Sequence, residues 1–253
     1  MLRLMEYNIL DGGAGRVDPL AEVIRHVDAD VVACIEAESE ENFNLLAQRL
    51  GMEKFWAQGA EHHAVGVLTR LPIVRAANHS RTPMRRAMAE VHVKLSSGLE
   101  LPIFALHLTS HLTLERENIR VEELQYVLAV TAGLRSAGTP HVLMGDFNAT
   151  HPDQAIDPAI LRETDRKRLA AQDGVVPRHA IEMALHAGYV DAYNLLHADQ
   201  PGYTLSTREP SLRTDYVFLS PDLSAKLLAC DVHHERLATY ASDHFPLWAE
   251  LNV

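Results

Sequence analysis

Cysteine, long apolar runs and linker-like sequence are all scarce in this chain. Cys34 and Cys230 are the only two cysteines among 253 residues, too few for a disulfide framework. Cys34 sits in the apolar stretch Val31–Ile35 and reads as a small buried hydrophobe. No apolar run approaches the roughly 20 residues needed to span a bilayer. Glu6 and Asn8 interrupt the opening "MLRLMEYNIL", which argues against a cleaved signal core, so the cytoplasm is the expected compartment. No Pro/Gly/Ser-rich linker, low-complexity tract or solenoid-period repeat divides the sequence, so residues 1–253 are expected to form one domain. Positive charge is also short, with a net charge of −11, which argues against a general duplex-binding surface. One segment reverses that balance. His62 to Ala89 holds no Asp or Glu, yet contains Arg70, Arg75, Arg81, Arg85 and Arg86. These guanidinium groups either meet phosphate, whose oxygens match their fork, or pair with acids elsewhere in the fold.

What is present is a series of strand-sized runs: Leu2–Ile9, Val31–Ile35, Ala64–Thr69, Met88–Leu95, Leu101–Leu108, His141–Met144, Thr214–Leu219 and Pro246–Val253. In Met88–Leu95 the apolar Val91, Val93 and Leu95 alternate with Glu90, His92 and Lys94, the pattern of a half-buried strand. Helices fall between the runs. Asp18-Pro19 reads as an N-cap followed by proline at the first helical position, ahead of Leu20, Val23, Ile24 and Val27 at helical spacing. Ser39 is placed to cap a second helix, with Gly51 as its stop, and a longer helix is expected from about Leu114 to Leu134. Residues 151–187 are polar and weakly periodic, an excursion with one or two surface helices. Hairpin-like pairs, as around Ser96-Ser97-Gly98, do not suit pure βαβ repetition; a layered α/β sandwich with antiparallel strands fits better.

Polar residues suited to metal or phosphate chemistry stand at the ends of these runs. Asn8 ends the first, Glu36 follows "DVVACI", and His107 ends "IFALH"; Asp146 and Asn148 follow "VLMG", Asp215 opens "DYVFLS", and Asp243-His244 precede "FPLWAEL". Asp146 and Asn148 are two apart, so on a strand they share one face while Phe147 takes the other. The set offers carboxylates, carboxamides and imidazoles without a thiol, and such oxygen-rich sites suit Mg²⁺ or Mn²⁺ rather than structural zinc. An ionised Asp146 accepts a proton from water, Asn148 donates to an oxygen, and Asp215 beside His244 favours the imidazolium. Asp243 and His244 are adjacent and diverge on a regular strand, so both face one cleft only if the chain bends there, as Pro246 permits.

The ordered strings "YNI", "CIE", "GVLTRLPI", "LHL", "GDFNAT", "RTDYVF" and "SDHFPL", from Tyr7 to Leu247, resemble the endonuclease/exonuclease/phosphatase (deoxyribonuclease I-like) superfamily; "GDFN" and "SDH" are the most diagnostic. The resemblance implies a four-layer α/β/β/α sandwich, two packed mixed β-sheets flanked by helices, with a cleft where strand ends from both sheets meet. It further implies Glu36 as the principal metal ligand, with Asn8 and Asp243 on the metal side. Asp146 resembles the acid that orients or deprotonates water, Asn148 the carboxamide that steadies water and phosphate, and His244 the phosphate-contacting histidine partnered by Asp215. His107 matches a histidine beside the scissile phosphate, where abasic-site nucleases have tyrosine, and Arg86 is a candidate substrate contact. The pattern departs from the abasic-site nucleases at two places. Leu10 stands where they have aspartate, with Asp11 one position late, and Leu205 follows Thr204 in "GYTLST" without their aromatic residues.

The expected activity is therefore hydrolysis of a phosphodiester or phosphomonoester by an activated water, with Mg²⁺ or Mn²⁺, in a monomer that spans no membrane. A small-molecule phosphate ester is favoured. Nucleic acid cleavage is the alternative enzyme, and a non-catalytic phosphate-binding module the alternative from another class. His62-His63 and His233-His234 read as exposed pairs, or as a second metal site if other ligands converge on them. His111 either reaches the cleft or begins a helix. "ERENIRVEEL" reads as a solvated charged helix face, and Trp56 and Trp248 as packing residues.

Overall fold

The computed structural model describes all residues from Met1 to Val253. Its strands are β1 (Leu2–Asn8), β2 (Val31–Ile35), β3 (Glu53–Gln58), β4 (Ala64–Thr69), β5 (Ile73–Asn78), β6 (Ala87–Lys94), β7 (Glu100–His107), β8 (Val142–Asp146), β9 (Val190–Asp191), β10 (Asp215–Leu219), β11 (Leu227–Val232) and β12 (Leu247–Leu251). The helices are α1 (Val17–Val27), α2 (Glu40–Leu50), α3 (Leu114–Val130), α4 (Ala132–Ser136), α5 (Glu163–Ala170), α6 (His179–His186), α7 (Ala192–Leu196), α8 (Pro221–Ser224) and α9 (Ala238–Ala241). Two six-stranded sheets form, in the orders β11-β12-β1-β2-β4-β3 and β5-β6-β7-β8-β10-β9.

Each sheet has one parallel pair in its middle, β1 with β2 and β7 with β8, and antiparallel pairing elsewhere. A parallel pair needs a crossover, supplied by α1 in one sheet and by α3 and α4 in the other. Both strands of such a pair end at the same rim. Asn8 lies beside Ile35, one residue before Glu36, and His107 lies beside Asp146. Strand β10 begins there too, with Asp215 opposite Asp146. The inner faces pack against each other, with Leu4, Val31, Val91, Ile103, Met144 and Val217 among one continuous set of buried residues. All five residues of β2 are inaccessible to solvent, because sheet covers one face and helix the other.

Ser39 caps α2 through a bond from the Asn42 N–H to its Oγ, and Gly51 closes the helix at φ 65°, both as read from the sequence. Helix α1 differs. It begins at Val17 with Arg16 at the N-cap and no side-chain cap, leaving Asp18 and Pro19 inside the first turn. Nothing is lost there, since first-turn N–H groups have no intrahelical partner and a carboxylate suits that end. The expected long helix is broken at Thr131, whose Oγ1 donates back to the Val127 carbonyl, a bond that bends helices.

Two charged faces expected in solvent are buried. Glu117, Arg120 and Glu123 of α3 are at most 1% exposed. Arg120 donates to Glu117 and to the carbonyls of Thr109 and His111, while Glu123 accepts from the backbone N–H groups of Arg85 and Thr109. This stripe satisfies the backbone of the loop after β7, which has no sheet partner there. On β6, Glu90 and His92 are also buried, and Glu90 is held by Arg75, His79 and His92. Burial alone would raise the Glu90 pKa, but those three partners bring it down to about 2.

The tightest backbone approach lies beside the site. A Cβ on Gly145 (φ 154°) would sit 1.8 Å from the Leu106 carbonyl oxygen of β7. Gly145→Ala is expected to lower unfolding free energy by about 2–4 kcal/mol through overpacking and strain. Gly133→Ala, a helical position with open space around it, should raise it by up to about 1 kcal/mol; urea unfolding of the two variants checks both signs.

Candidate active site

The two parallel pairs and the bent segment before β12 bring Glu36, His107, Asp146, Asn148, Asp243 and His244 to the wall of one hollow of about 130 Å³. Asp146 Oδ2 is its hub. Asn8 Nδ2 donates to it at 3.3 Å, and His107 Nε2 and His244 Nε2 lie 3.6 and 4.0 Å away. The other carboxylate oxygen accepts the Asn148 N–H at 2.8 Å, which is possible because Asn148 takes a positive φ of 50°, a conformation asparagine tolerates. The Asn148 side-chain amide donates to the Leu108 carbonyl, so one amide hydrogen fixes the group and the second stays free.

Asn8 bridges the sheets, since its Nδ2 also lies 3.3 Å from Glu36 Oε1 while its Oδ1 accepts from the Leu10 N–H. The group thus turns its nitrogen toward both carboxylates and orients them. Glu36 follows β2 at φ 57° and accepts the Asp11 N–H through Oε2. Asp11, one position later than in the abasic-site pattern, nonetheless lies with Glu36 and Glu38 in a group whose oxygens are within 4.8 Å of one another. Asp243 and His244 do face the same hollow: the chain bends at Asp243, His244 makes only an isolated bridge to Leu205, and β12 starts at Leu247.

Electrostatics divide the titratable groups. Burial pushes Asp146 up to about 7, with Asp215 adding to the rise and His244 and the Asn148 N–H opposing it. For His244 burial works against protonation, but Asp215, Asp146 and Asp243 outweigh it and lift the imidazole to about 10. Its Nδ1 meets Asp215 Oδ2 at 2.9 Å. His107 goes the other way: burial, then Arg86, His63 and His244, hold it well below the usual imidazole range. The site therefore contains one imidazolium and one neutral imidazole on either side of the same carboxylate. Asp243 Oδ1 is buried and has no hydrogen-bond partner. Glu36 and Asp146 offer further carboxylate oxygens on the wall of the same hollow, and oxygen donors of this kind fit a hard divalent ion.

Several groups here carried no signal in the sequence. Glu6 lies two residues before Asn8 on the same strand face, fully buried between the sheets. Burial, then Asp215 and Asp146, raise its pKa well above the carboxylate range. Both its oxygens and Asp215 Oδ1 are buried without any donor, so a proton on Glu6 is what joins it to Asp215. Only the facing strand reveals this. The excursion 151–187 is more than surface: Arg162, just before α5, and Arg168 within it reach the hollow, both held by the buried Asp165.

The arginine-rich segment splits between its two readings. Arg70 pairs with Asp28, Arg75 with Glu90, and Arg81 donates to the Tyr126 hydroxyl. Arg86 enters the site, with Nη1 3.0 Å from His107 Nε2 and 3.8 Å from Glu36, and Nη2 on Ser110 Oγ. Arg85, Arg86 and Arg116 line a polar groove of about 560 Å³ that shares Ser110 with the hollow. His111, at φ 78°, also lines the hollow. Of the histidine pairs, His63 bonds Glu38 while His62 is exposed; His233 approaches Glu235 while His234 packs on Phe245.

With that geometry in hand, the comparisons are specific. The model of the endonuclease/exonuclease/phosphatase family matches residues 5–244, and no curated protein sequence matches the chain. Among solved structures, an AP endonuclease from Archaeoglobus fulgidus is similar over the full length of both chains, with 17% identity and a TM-score of 0.75. The 3′ phosphatase NExo from Neisseria, bound to product DNA hairpin, is also covered fully on both sides, at 16% and 0.72. An endonuclease/exonuclease/phosphatase from Beutenbergia cavernae is 20% identical, with a TM-score of 0.76, all of this chain and 71% of the other being covered. The shared fold and the family match over nearly the whole sequence place this chain in the endonuclease/exonuclease/phosphatase family.

Proposed function

We propose that residues 1–253 form a single catalytic domain that hydrolyses a phosphoric ester with Mg²⁺ or Mn²⁺. The reading is carried by the convergence of Asn8, Glu36 and, just before β12, His244 from one sheet with His107 and Asp146 from the other. Glu36 and Asp243 would hold the ion, with Asn8 orienting Glu36. The bound ion supplies charge neutralisation on a phosphoryl oxygen.

Asp146, in its ionised form, accepts the proton of the attacking water and keeps that water in line through Oδ2; the Asn148 N–H fixes the carboxylate plane. His244, kept protonated by Asp215, donates through Nε2 to a phosphoryl oxygen as negative charge builds there. Neutral His107 and the guanidinium of Arg86 bind the phosphate on the opposite side, and Ser110 and Glu36 fix Arg86. Glu6 acts through Asp215: its proton occupies the oxygen that His244 does not use, so the aspartate keeps one orientation.

A small, accessible phosphate ester remains the favoured substrate, in keeping with the hollow's size and the net charge of −11. A strand end of nucleic acid is the second reading, favoured by the adjoining groove with Arg85 and Arg116. Rates on bis(p-nitrophenyl) phosphate, p-nitrophenyl phosphate and a labelled oligonucleotide, each with Mg²⁺ and with Mn²⁺, test both. Hydrolysis of the oligonucleotide alone would replace the first reading by the second, and hydrolysis of none would leave a binding module.

Asp146→Asn should lower kcat by about 10²–10⁴-fold, the range for a lost general base, while Glu36→Gln should raise the Mn²⁺ concentration giving half-maximal rate. The rate should climb with pH as Asp146 loses its proton around pH 7, or lower once a cation is nearby, and fall as His244 loses its own near pH 10. Asp215→Asn should pull the alkaline limb to lower pH, because the carboxylate that raises His244 is gone. Glu6→Gln, which keeps a donor facing Asp215, should stay within a few-fold of the parent rate. Glu6→Ala should lose roughly tenfold in kcat with little change in KM, an effect of about 1.4 kcal/mol; steady-state kinetics on both variants checks the contrast.

A further inference from the structure

Away from the hollow, three side chains converge on the outer face of the first sheet. His26 stands on the last turn of α1, while His233 and Glu235 follow the edge strand β11. One atom from each of the three lies within 4.8 Å of the others. Glu235 sits between the rings: its Oε2 is 2.9 Å from His26 Nδ1 and its Oε1 is 3.4 Å from His233 Nε2. His234 takes no part, since its ring packs on Phe245.

Two facts separate this cluster from an ordinary ion pair. His233 Nε2 and Glu235 Oε1 are both shielded from solvent, and neither has a hydrogen-bond partner although they face each other. Buried polar atoms left unpaired are costly. The donor set is also of a definite chemical kind. Two imidazole nitrogens and one carboxylate oxygen, all within 4.8 Å of one another, are the donor types of zinc chemistry. The hollow between the sheets, by contrast, is oxygen-rich. The exposed side of His26 leaves a fourth position to water.

We propose that His26, His233 and Glu235 form a second metal site, selective for Zn²⁺ over Mg²⁺ and distinct from the catalytic hollow. Occupancy would tie the end of α1 to the chain leaving β11. That chain runs through α9 to Asp243 and His244, so the ion would pin the base of the segment that carries both. A ligand held only by the folded state raises stability, and this one would do so without entering the reaction.

The test removes the catalytic ligands first, which keeps it independent of the proposed hydrolase. In a Glu36→Gln/Asp243→Asn background, equilibrium dialysis followed by elemental analysis is expected to find one equivalent of Zn²⁺. Adding His26→Ala or Glu235→Ala should weaken that binding at least tenfold. In the otherwise native chain, Co²⁺ should give the intense visible bands of a tetrahedral ion, lost on His26→Ala, while Mg²⁺-supported hydrolysis stays unchanged. This second measurement holds even if the double variant does not fold. Absence of bound Zn²⁺ in the double variant with no tetrahedral Co²⁺ band in the native chain, or binding and bands that ignore His26→Ala, would overturn the site.

Discussion

Too many carboxylates in too little water is the condition on which the rest of this structure depends. Glu6, Asp146 and Asp215 are each at most 1% exposed, with Glu36 and Asp243 beside them on the wall of the same hollow. Ionised acids cannot share a dry space without compensation. The protein answers with three devices. Glu6 keeps its proton, Asp215 is matched by an imidazolium, and Asp146 is left near the balance point between its two forms. An all-oxygen set that is still short of positive charge is also what attracts a divalent ion. The features that burden folding are the ones the proposed chemistry requires.

That arrangement rests on the sandwich rather than on loops alone. Strands deliver Asn8, His107 and Asp146 as their last residues and Asp215 as its strand's first, and strand ends are held by ladder bonds on the preceding residues. Loop residues are fixed by other means. Asp146 and Leu108 hold Asn148, while Ser110 and His107 hold Arg86. The buried charges of α3 fasten the loop after β7. A site built this way has little freedom to misplace its groups, and positioning is most of what phosphoryl transfer asks of a protein.

The eight strands read from apolar runs all occur, with ends that differ by at most two residues, and the four without such a run share a cause. β3, β5, β9 and β11 are the outer strands of the two sheets. An outer strand borders solvent and carries mixed side chains, so "EKFWAQ" and "IVRAAN" lack the apolar density of "VVACI". The charged stripe of α3 departs from its expected place in solvent for the opposite reason. Its composition is that of a solvated face, and only the unpaired backbone of a loop elsewhere in the chain explains why Glu117, Arg120 and Glu123 turn inward.

By itself the sequence determined the layered architecture and nominated the polar residues at strand ends, because apolar periodicity and end positions are local properties of a chain. Asp146 and Asn148 do meet, though not by the strand alternation their spacing suggests: β8 ends at Asp146, and a left-handed turn at Asn148 brings the two together. Tertiary structure alone decided which charges meet. Glu6 became part of the site because a strand some two hundred residues away placed Asp215 over it; Arg70 and Arg75 were drawn to Asp28 and Glu90, while Arg86 was brought to His107, Ser110 and Glu36. Coulomb energies depend on distance and on surrounding water, and both quantities come into being only when the two sheets close on each other.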